Sequence, residues 1–191
     1  MTIPNFLALE TARLRLRRFS EADLPTFLAY RNDPEIARYQ SWETITERQA
    51  RAFITEQLQL PPGTPGSWFQ FAIALKTTDG LIGDCMLHVR ADDPEQGEIG
   101  YTLARAQQGH GYATEAIQAV LAYAFETLQL HRVIATVDCR NTPSIRLLER
   151  IGMRREGHFL QDAWYKGEWC DDYLYALLRA EWPVPGASLP G

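Results

Sequence analysis

The sequence predicts an α/β (α+β) fold built around a mixed, mostly antiparallel sheet. Three observations predict it: capped helix patterns near the N-terminus, apolar stretches joined by turns, and a strand–helix alternation in the second half. Parallel neighbours need a long crossover, which a helix of this alternation supplies. The sheet is therefore expected to contain one parallel pair among antiparallel strands.

The composition is that of a globular domain with its own core. The chain has 191 residues, of which 46% are hydrophobic and 23% charged, and this argues against disorder. A net charge of −5 weighs against general nucleic-acid binding. Three cysteines without a CxxC pair indicate neither a disulfide framework nor a zinc site. With neither a signal peptide nor a membrane span visible, we expect a cytoplasmic protein.

The N-terminal elements are predicted from alternation and from helix caps. Leu14 and Leu16 alternate with arginines, which is typical of a half-buried edge strand with a charged outer face. Ser20 and Thr46 are N-cap residues for two predicted helices, and Pro34 begins a short helix between them. The expected strands cover residues 13–18, 68–76, 81–89, 98–103, 132–139, 154–159 and 170–178.

The later elements follow from turn and helix signals. The Asp-Gly pair at residues 79–80 predicts a β-hairpin between two apolar strands. Apolar residues over 113–128 recur at helical spacing, so this segment is expected to be an amphipathic helix packed on the sheet. The Thr-Pro pair at 142–143 begins the next helix, and Gly152 ends it.

Residues 108–114 carry two glycines, Gly109 and Gly111, just before the long helix. The first amides of a helix have no intrahelical partner, and Gly-His-Gly offers no strong side-chain cap. Glycine permits close approach of a ligand, and a helix start of this kind suits a diphosphate. The alternative is an ordinary turn capped by water. The pattern is neither a dinucleotide fingerprint nor a P-loop.

The stretches EIGYTL, QQGHGYA and NTPSIRLLERIG, in this order, resemble the GNAT superfamily of acyl-CoA-dependent N-acetyltransferases. Gln108, Gly111 and Ala113 match its Q/R-x-x-G-x-G/A signature. The pattern N-x-x-S-x-x-L-L-E-x-x-G, with LETARLRLRRFSEADL and KGEWCDDYLYALL, resembles the RimJ/RimL-like branch. The resemblance implies one domain over residues 9–181, with six to seven strands, a splayed parallel pair at the centre and flanking helices. Residues 183–191 are expected to be a flexible C-terminal tail.

The resemblance implies acetyl-CoA as co-substrate and no metal. The loop backbone would bind the pyrophosphate, and the preceding strand, splayed near a bulge at Gly100, would pair with the pantetheine arm. Asn141 would contact that arm; its alternative is a turn asparagine. The implied coenzyme-binding residues are Tyr101, Thr102, Leu103, Gln108, Gly109, His110, Gly111, Tyr112, Ala113, Thr114, Asn141 and Ser144.

The implied chemistry is direct attack of a neutral amine on the thioester, which needs a base, an oxyanion donor and a proton for the thiolate. The resemblance implies Glu98 as the base, a backbone N–H around Leu103 as the oxyanion donor, and Ser144 as the residue that protonates the thiolate or holds the coenzyme. The alternatives are a solvent-facing strand residue for Glu98 and a plain helix-start residue for Ser144. His110 lies in the phosphate loop, so it is not favoured as the base.

The implied acceptor site lies between the first helices and the loop that joins the last two strands. The expected substrate-binding residues are Tyr30, Tyr39, Trp42 and Trp164, with Tyr165 beside them and the carboxylates Glu35, Glu43 and Asp162 nearby. Aromatic walls with acidic neighbours suit a cationic amine. The alternative for each aromatic residue is a place in the core.

These expectations describe an acetyl-CoA-dependent N-acetyltransferase that modifies a primary amine, either a protein N-terminal α-amine or a small molecule. The alternatives are a different acyl group on the same fold and a non-catalytic acyl-CoA-binding sensor. The expected partners are acetyl-CoA and the amine acceptor, without nucleic acid or membrane. The chain itself is expected to be a monomer or a homodimer.

Overall fold

The computed structural model describes residues 6–40 and 42–182, so the expected tail over 183–191 lies outside the described residues. One sheet contains the strands β1 (Ala8–Glu10), β2 (Leu14–Arg17), β3 (Trp68–Leu75), β4 (Leu81–Val89), β5 (Gln96–Leu103), β6 (Arg132–Asp138), β7 (Arg154–Tyr165) and β8 (Glu168–Leu178). Their order across the sheet is β1-β2-β3-β4-β5-β6-β8-β7. β5 and β6 run parallel, and the other neighbours are antiparallel. The mixed sheet with a parallel pair is confirmed.

Within the described ranges, five α-helices flank the sheet: α1 (Leu24–Arg31), α2 (Pro34–Ala37), α3 (Glu47–Gln59), α4 (Tyr112–Ala122) and α5 (Thr142–Arg150). Strand alternation sends Phe71 and Ile73 to the core shared with α4 and α5, and sends Ala72 to the core shared with α1 and α3. The predicted cap of α3 is confirmed, because the Thr46 hydroxyl accepts from the N–H of Gln49 at 3.3 Å. No helix in the described ranges is long and apolar enough to cross a bilayer.

In the part of the chain that the structure describes, the sheet has eight strands, not the six to seven expected. The missed strand is β1, whose three residues are too few to show a periodic pattern. β7 also extends to Tyr165, well beyond the expected end at residue 159. Most of its side chains are exposed on both faces, so its sequence lacks the apolar alternation of a half-buried strand.

The predicted bulge at Gly100 is wrong. Register between β4 and β5 is continuous from Gly83–Leu103 to Val89–Gly97, and Gly100 lies opposite Met86 without a shift. The separation of β5 from β6 therefore has another origin, which the pairing of these two strands reveals.

Candidate active site

The cleft begins where β5 and β6 part. The two strands pair only at Gln96–Arg132, Gly97–Val133 and Glu98–Ile134. Beyond Glu98, β5 stays on β4 while β6 stays on β8, and a cleft of about 680 Å³ occupies the gap. The gap therefore opens where β5 remains hydrogen-bonded to β4 and β6 remains hydrogen-bonded to β8, but the two no longer pair with each other.

The free edge of β5 presents backbone N–H groups to this cleft. The N–H of Ala104 donates to the carbonyl of Ile82, at 2.9 Å, and so points towards β4. Because N–H groups alternate in direction along a strand, those of Tyr101 and Leu103 face the gap, while that of Ile99 faces β6 within the last β5–β6 pair. The expected donor strand for the coenzyme arm and for an oxyanion is thus open on the required edge.

The cleft passes through the sheet and has two differently lined sides. One, here called the helix side, is lined by α4, α5 and the side chains of Ile99, Tyr101 and Leu103. The other, here called the acidic side, carries the following lining residues: Glu35, Tyr39, Glu98, Asp138, Tyr165 and Asp172. Alternation along β5 assigns Glu98 to the face opposite Ile99.

The glycine loop lies at the mouth of the helix side. Gly109 and Gly111 both have φ +80°, in the left-handed region that favours glycine. Gly111 is the N-cap of α4, and no described side chain caps this helix. A Cβ added to Gly109 would meet nothing within 4 Å, so the loop backbone is open to a ligand. A diphosphate fits this geometry, because the first amides of α4 and its positive end are available.

Arg13 braces the glycine loop from behind. Its Nη1 donates to the carbonyl of His110 at 2.9 Å, its Nε donates to Glu115 at 2.7 Å, and its guanidinium lies 4.6 Å from the ring centre of Tyr112. Thr11 also donates to Glu115, at 2.6 Å. Although burial opposes it, these hydrogen bonds hold the pKa of Glu115 below its ordinary value. The sequence pattern indicated only a solvated edge for this arginine.

Ser144 lies at the start of α5 beside a tyrosine hydroxyl. Its Oγ is 2.6 Å from the Oη of Tyr101, and its N–H donates to Asn141 Oδ1 at 3.3 Å. Burial raises the pKa of Tyr101 to about 12, with the hydrogen bond to Ser144 opposing. Asn141 is therefore the N-cap of α5 as well as a cleft residue. The hydroxyl pair thus joins β5 to α5, two elements whose contact sequence order alone did not indicate.

Two exposed arginines complete the helix side. Arg146 and Arg150 are one turn apart on α5 and both line the cleft. Sequence reasoning did not select them, because exposed arginines on a helix are usually solvated. Their signal is the i, i+4 spacing on the helix that follows β6.

Glu98 lies at the base of the fork on the acidic side. Burial raises its pKa, while the charge of nearby His88 opposes the shift. His88 is held in place by Trp68, whose ring stacks on it with centroids 4.1 Å apart, and by contact of Nδ1 with the Ser67 carbonyl at 2.8 Å. Glu98 is thus a half-buried carboxylate that faces the cleft rather than bulk solvent.

The turn between β7 and β8 closes the acidic side. Tyr165 lines the cleft, and the adjacent Lys166 donates to the carbonyl of Ala37 at the end of α2. Tyr39, just beyond α2, lines the same side. The structure therefore brings Tyr39 and Tyr165 together at the expected acceptor site.

Three expected substrate-binding residues lie away from the cleft. Tyr30 is 3% exposed and its hydroxyl donates to buried Asp84. Trp42 stacks 3.8 Å from the Arg31 guanidinium. Trp164 is 57% exposed and packs edge-on against its neighbour on β8. Each of these aromatic rings makes its contacts outside the cleft: Tyr30 in the core, Trp42 with an arginine and Trp164 on the surface.

The remaining predicted residues divide in the same way. The cleft brings together the following residues from the expected site: Glu35, Tyr39, Glu98, Tyr101, Thr102, Leu103, Gln108, Gly109, Gly111, Tyr112, Ala113, Thr114, Asn141, Ser144 and Tyr165. His110 is exposed and contributes its backbone to the loop without lining the cleft. Glu43 and Asp162 do not line it either. In the described part of the chain, no group of three or more His, Cys, Asp or Glu residues is arranged to hold a metal ion.

Comparison with known proteins identifies the family. The family model described as acetyltransferase (GNAT) domain matches residues 13–154. The uncharacterized N-acetyltransferase YnaD of Bacillus subtilis (strain 168) is 36% identical over 172 residues, which are 90% of this chain and 97% of that protein. The chain therefore belongs to the GNAT acetyltransferase family. It is an N-acetyltransferase, and the general reaction of its family is acetyl-CoA-dependent acetylation of amines.

Two further comparisons bear on fold and branch. A GNAT-family acetyltransferase structure from Bacillus anthracis matches with a TM-score of 0.81 and 34% identity, covering 92% of this chain and 100% of that one. The ribosomal protein uS5 alanine N-acetyltransferase of Escherichia coli (strain K12) is 34% identical over 88 residues, 46% of this chain and 45% of that protein. The predicted fold and the RimJ/RimL-like resemblance are confirmed.

Proposed function

We propose that this N-acetyltransferase transfers the acetyl group of acetyl-CoA to a primary aliphatic amine that enters the cleft from the acidic side. The observation that carries the proposal is the fork of β5 and β6, with Glu98 at its base and the uncapped start of α4 at its mouth. A thioester lying in the fork would meet an amine from the opposite face of the sheet.

The coenzyme is assigned to the helix side. Acetyl-CoA supplies the activated acyl group of the reaction. The backbone of residues 108–114 would bind its pyrophosphate, and Arg146 and Arg150 would lie beside its phosphates. The N–H group of Leu103, directed into the gap, would donate to an amide carbonyl of the pantetheine arm.

Glu98 is assigned as the general base. Its carboxylate accepts a proton from the amine, directly or through water, and its raised pKa brings it closer to that of the amine. The amine nitrogen then forms a C–N bond to the thioester carbon. Of the two N–H groups directed into the gap, that of Tyr101 is nearer to Glu98 along the strand, so we assign it, rather than that of Leu103, to the developing oxyanion.

The leaving thiolate is assigned to the start of α5. The C–S bond breaks as the carbonyl re-forms, and the positive end of α5 favours the negative sulfur. Ser144 Oγ donates the proton that the sulfur requires, and Tyr101 Oη positions Ser144 through their 2.6 Å contact. The amine thus loses one proton to Glu98 while the sulfur gains one from Ser144. Glu98 then releases its proton to solvent and Ser144 takes one up from solvent, so both side chains return to their starting states.

We further propose that residues 9–181 form a single domain that works in the cytoplasm. Cys85, Cys139 and Cys170 are free, which suits a reducing compartment. The acceptor includes peptide N-termini among its candidates, because the Escherichia coli relative is an alanine N-acetyltransferase of a ribosomal protein.

The test is to incubate the protein with acetyl-CoA and a panel of aliphatic amines and short peptides, and to follow free thiol. Amine-dependent thiol release, together with calorimetric binding of acetyl-CoA, is the expected result. Lack of acetyl-CoA binding would contradict the proposal. Binding without thiol release for any acceptor would favour the non-catalytic sensor instead.

A further inference from the structure

Asp172 is a buried carboxylate on the acidic side that the proposed transfer does not use. It lies on β8 with 5% of its surface exposed, and it lines the cleft. Within residues 6–40 and 42–182, its carboxylate has no hydrogen-bond or ion-pair partner, whereas neighbouring Asp138 and Asp171 each have one. Because buried polar groups are normally paired, such a side chain at a cleft wall points to a ligand.

The charges around Asp172 are mostly negative. Burial, followed by the charges of Asp138, Asp162 and Asp171, raises the pKa of Asp172, with Arg140 opposing. Asp138 lies directly opposite Asp172 on β6. Arg140 is already engaged there, since its Nη2 donates to Asp138 at 2.6 Å and its Nη1 to a glutamate at 2.7 Å. Arg140 therefore compensates the charge of Asp172 only in part, without pairing with it.

The other cations near this wall are also engaged. Lys166 donates to the carbonyl of Ala37, and the Arg38 guanidinium lies 5.3 Å from the ring centre of Tyr39. Neither cation lines the cleft. The acidic side thus presents carboxylates to an incoming acceptor and would repel an anionic one.

Asp172 lies at a distance from the reacting centre. Glu98 is level with Ile134 on β6, and Asp172 is level with Asp138, four residues further along that strand. Four residues of a β-strand span about 13 Å. A cation bound at Asp172 is therefore a different group from the amine that reacts at Glu98.

We propose that Asp172 binds a second cationic group of the acceptor, so that the substrate class is a long aliphatic diamine with one amino group at Glu98 and the other at Asp172. This inference rests on the proposed function. Acceptors with a carboxylate in place of the second amine are excluded from the site, and short diamines do not span it.

The experiment compares kcat/KM for diaminooctane, diaminopropane and octylamine in the wild type, in Asp172→Asn and in Asp171→Asn. The last is the matched control: it removes the same charge one residue away, and its amide oxygen still accepts the bond from the Gln161 N–H. In the wild type, diaminooctane is expected to exceed octylamine by about ten-fold or more, because a charged hydrogen bond supplies a factor of that size. D172N should abolish this preference, and D171N should keep it.

Two results would overturn the inference. Equal kcat/KM for diaminooctane and octylamine in the wild type would overturn the second cation site alone, whether or not a variant folds. An equal loss with every amine in D172N would assign Asp172 to the reacting group instead. Binding of acetyl-CoA without acetylation of any amine would overturn both this inference and the proposed function.

Discussion

The helix side and the acidic side of the cleft are built from different parts of the protein. The helix side uses backbone amides of residues 108–114 and of one edge of β5, which are contiguous in sequence. The acidic side uses single side chains from α2, β5, β6, β8 and the β7–β8 turn, which are far apart in the chain. Binding by backbone amides depends on the conformation of a few residues, whereas binding by side chains depends on the charge of each one. The helix side is therefore assigned to the coenzyme, and the acidic side determines which acceptor is bound.

The largest expected effect is on the acidic side. Glu98→Gln should lower kcat by at least about 100-fold, because general-base catalysis contributes that much, and leave the Kd for acetyl-CoA unchanged. In the wild type, kcat should rise as pH increases through the raised pKa of Glu98, since only the carboxylate accepts a proton. The variant should lose this rise. Glu95→Gln is the control, because it removes the same charge from an exposed residue nearby and should keep the wild-type pH profile. A pH profile in E98Q that matches the wild type would show that Glu98 is not the base.

The next effect is on the helix side. Gly111→Val places a β-branched residue at φ +80°, with its Cβ 3.4 Å from Arg13 Nη2. The strain of about 1–3 kcal/mol should move the loop amides and raise the Kd for acetyl-CoA about ten-fold.

Gly152→Val is the matched control for that strain. Gly152 has φ +87° after α5, and a Cβ there meets nothing within 4 Å. Both variants should lose a few degrees of Tm in a thermal scan, but calorimetry should find weaker coenzyme binding only for G111V. Equal Kd values in the two variants would contradict the loop assignment.

The contrast between the two sides also explains how much of the molecule its sequence could predict. The glycine loop and the start of α5 are short continuous segments with recognisable residues, and the parallel pair follows from the strand–helix–strand order. The sequence alone could therefore predict these features. The structure places Tyr30 and Trp42 away from the cleft, and the sequence could not distinguish these positions, because an aromatic residue has the same sequence signal in a core and in a cleft wall. Asp172 could not be predicted, because its burial without a partner depends on β6 and β7 on either side.

A smaller effect is expected from the brace behind the loop. Arg13→Gln removes the donor to the His110 carbonyl and weakens the hold of Glu115, so the KM for acetyl-CoA should rise roughly three-fold while kcat is kept. Arg15→Gln, which removes an exposed arginine of β2 that pairs with Glu10, should leave KM unchanged. Steady-state kinetics with a fixed saturating amine measures both. A three-fold change in the control as well would assign the effect to general charge.

The smallest effect concerns stability. The raised pKa of Asp172 means that the folded state favours the protonated carboxyl, so the ionised group costs stability at neutral pH. This cost decreases as pH falls through the raised pKa and is gone below the ordinary pKa of an aspartate. D172N should therefore raise Tm at neutral pH by a few degrees, and the gain should vanish at acid pH. D171N should show a smaller gain, because the Asp171 charge contributes less to the raised pKa of Asp172 than burial does. A lower Tm for D172N at neutral pH would mean that the carboxylate is compensated.

The separation of the two sides is tested most directly by calorimetric titration of acetyl-CoA into the double variant Glu98→Gln/Asp172→Asn and into Gly111→Val. The double variant should bind acetyl-CoA with the wild-type Kd although it no longer acetylates diamines. G111V should bind it about ten-fold more weakly. Weakened binding in the double variant, with wild-type binding in G111V, would contradict the assignment of coenzyme and acceptor to opposite faces of the sheet.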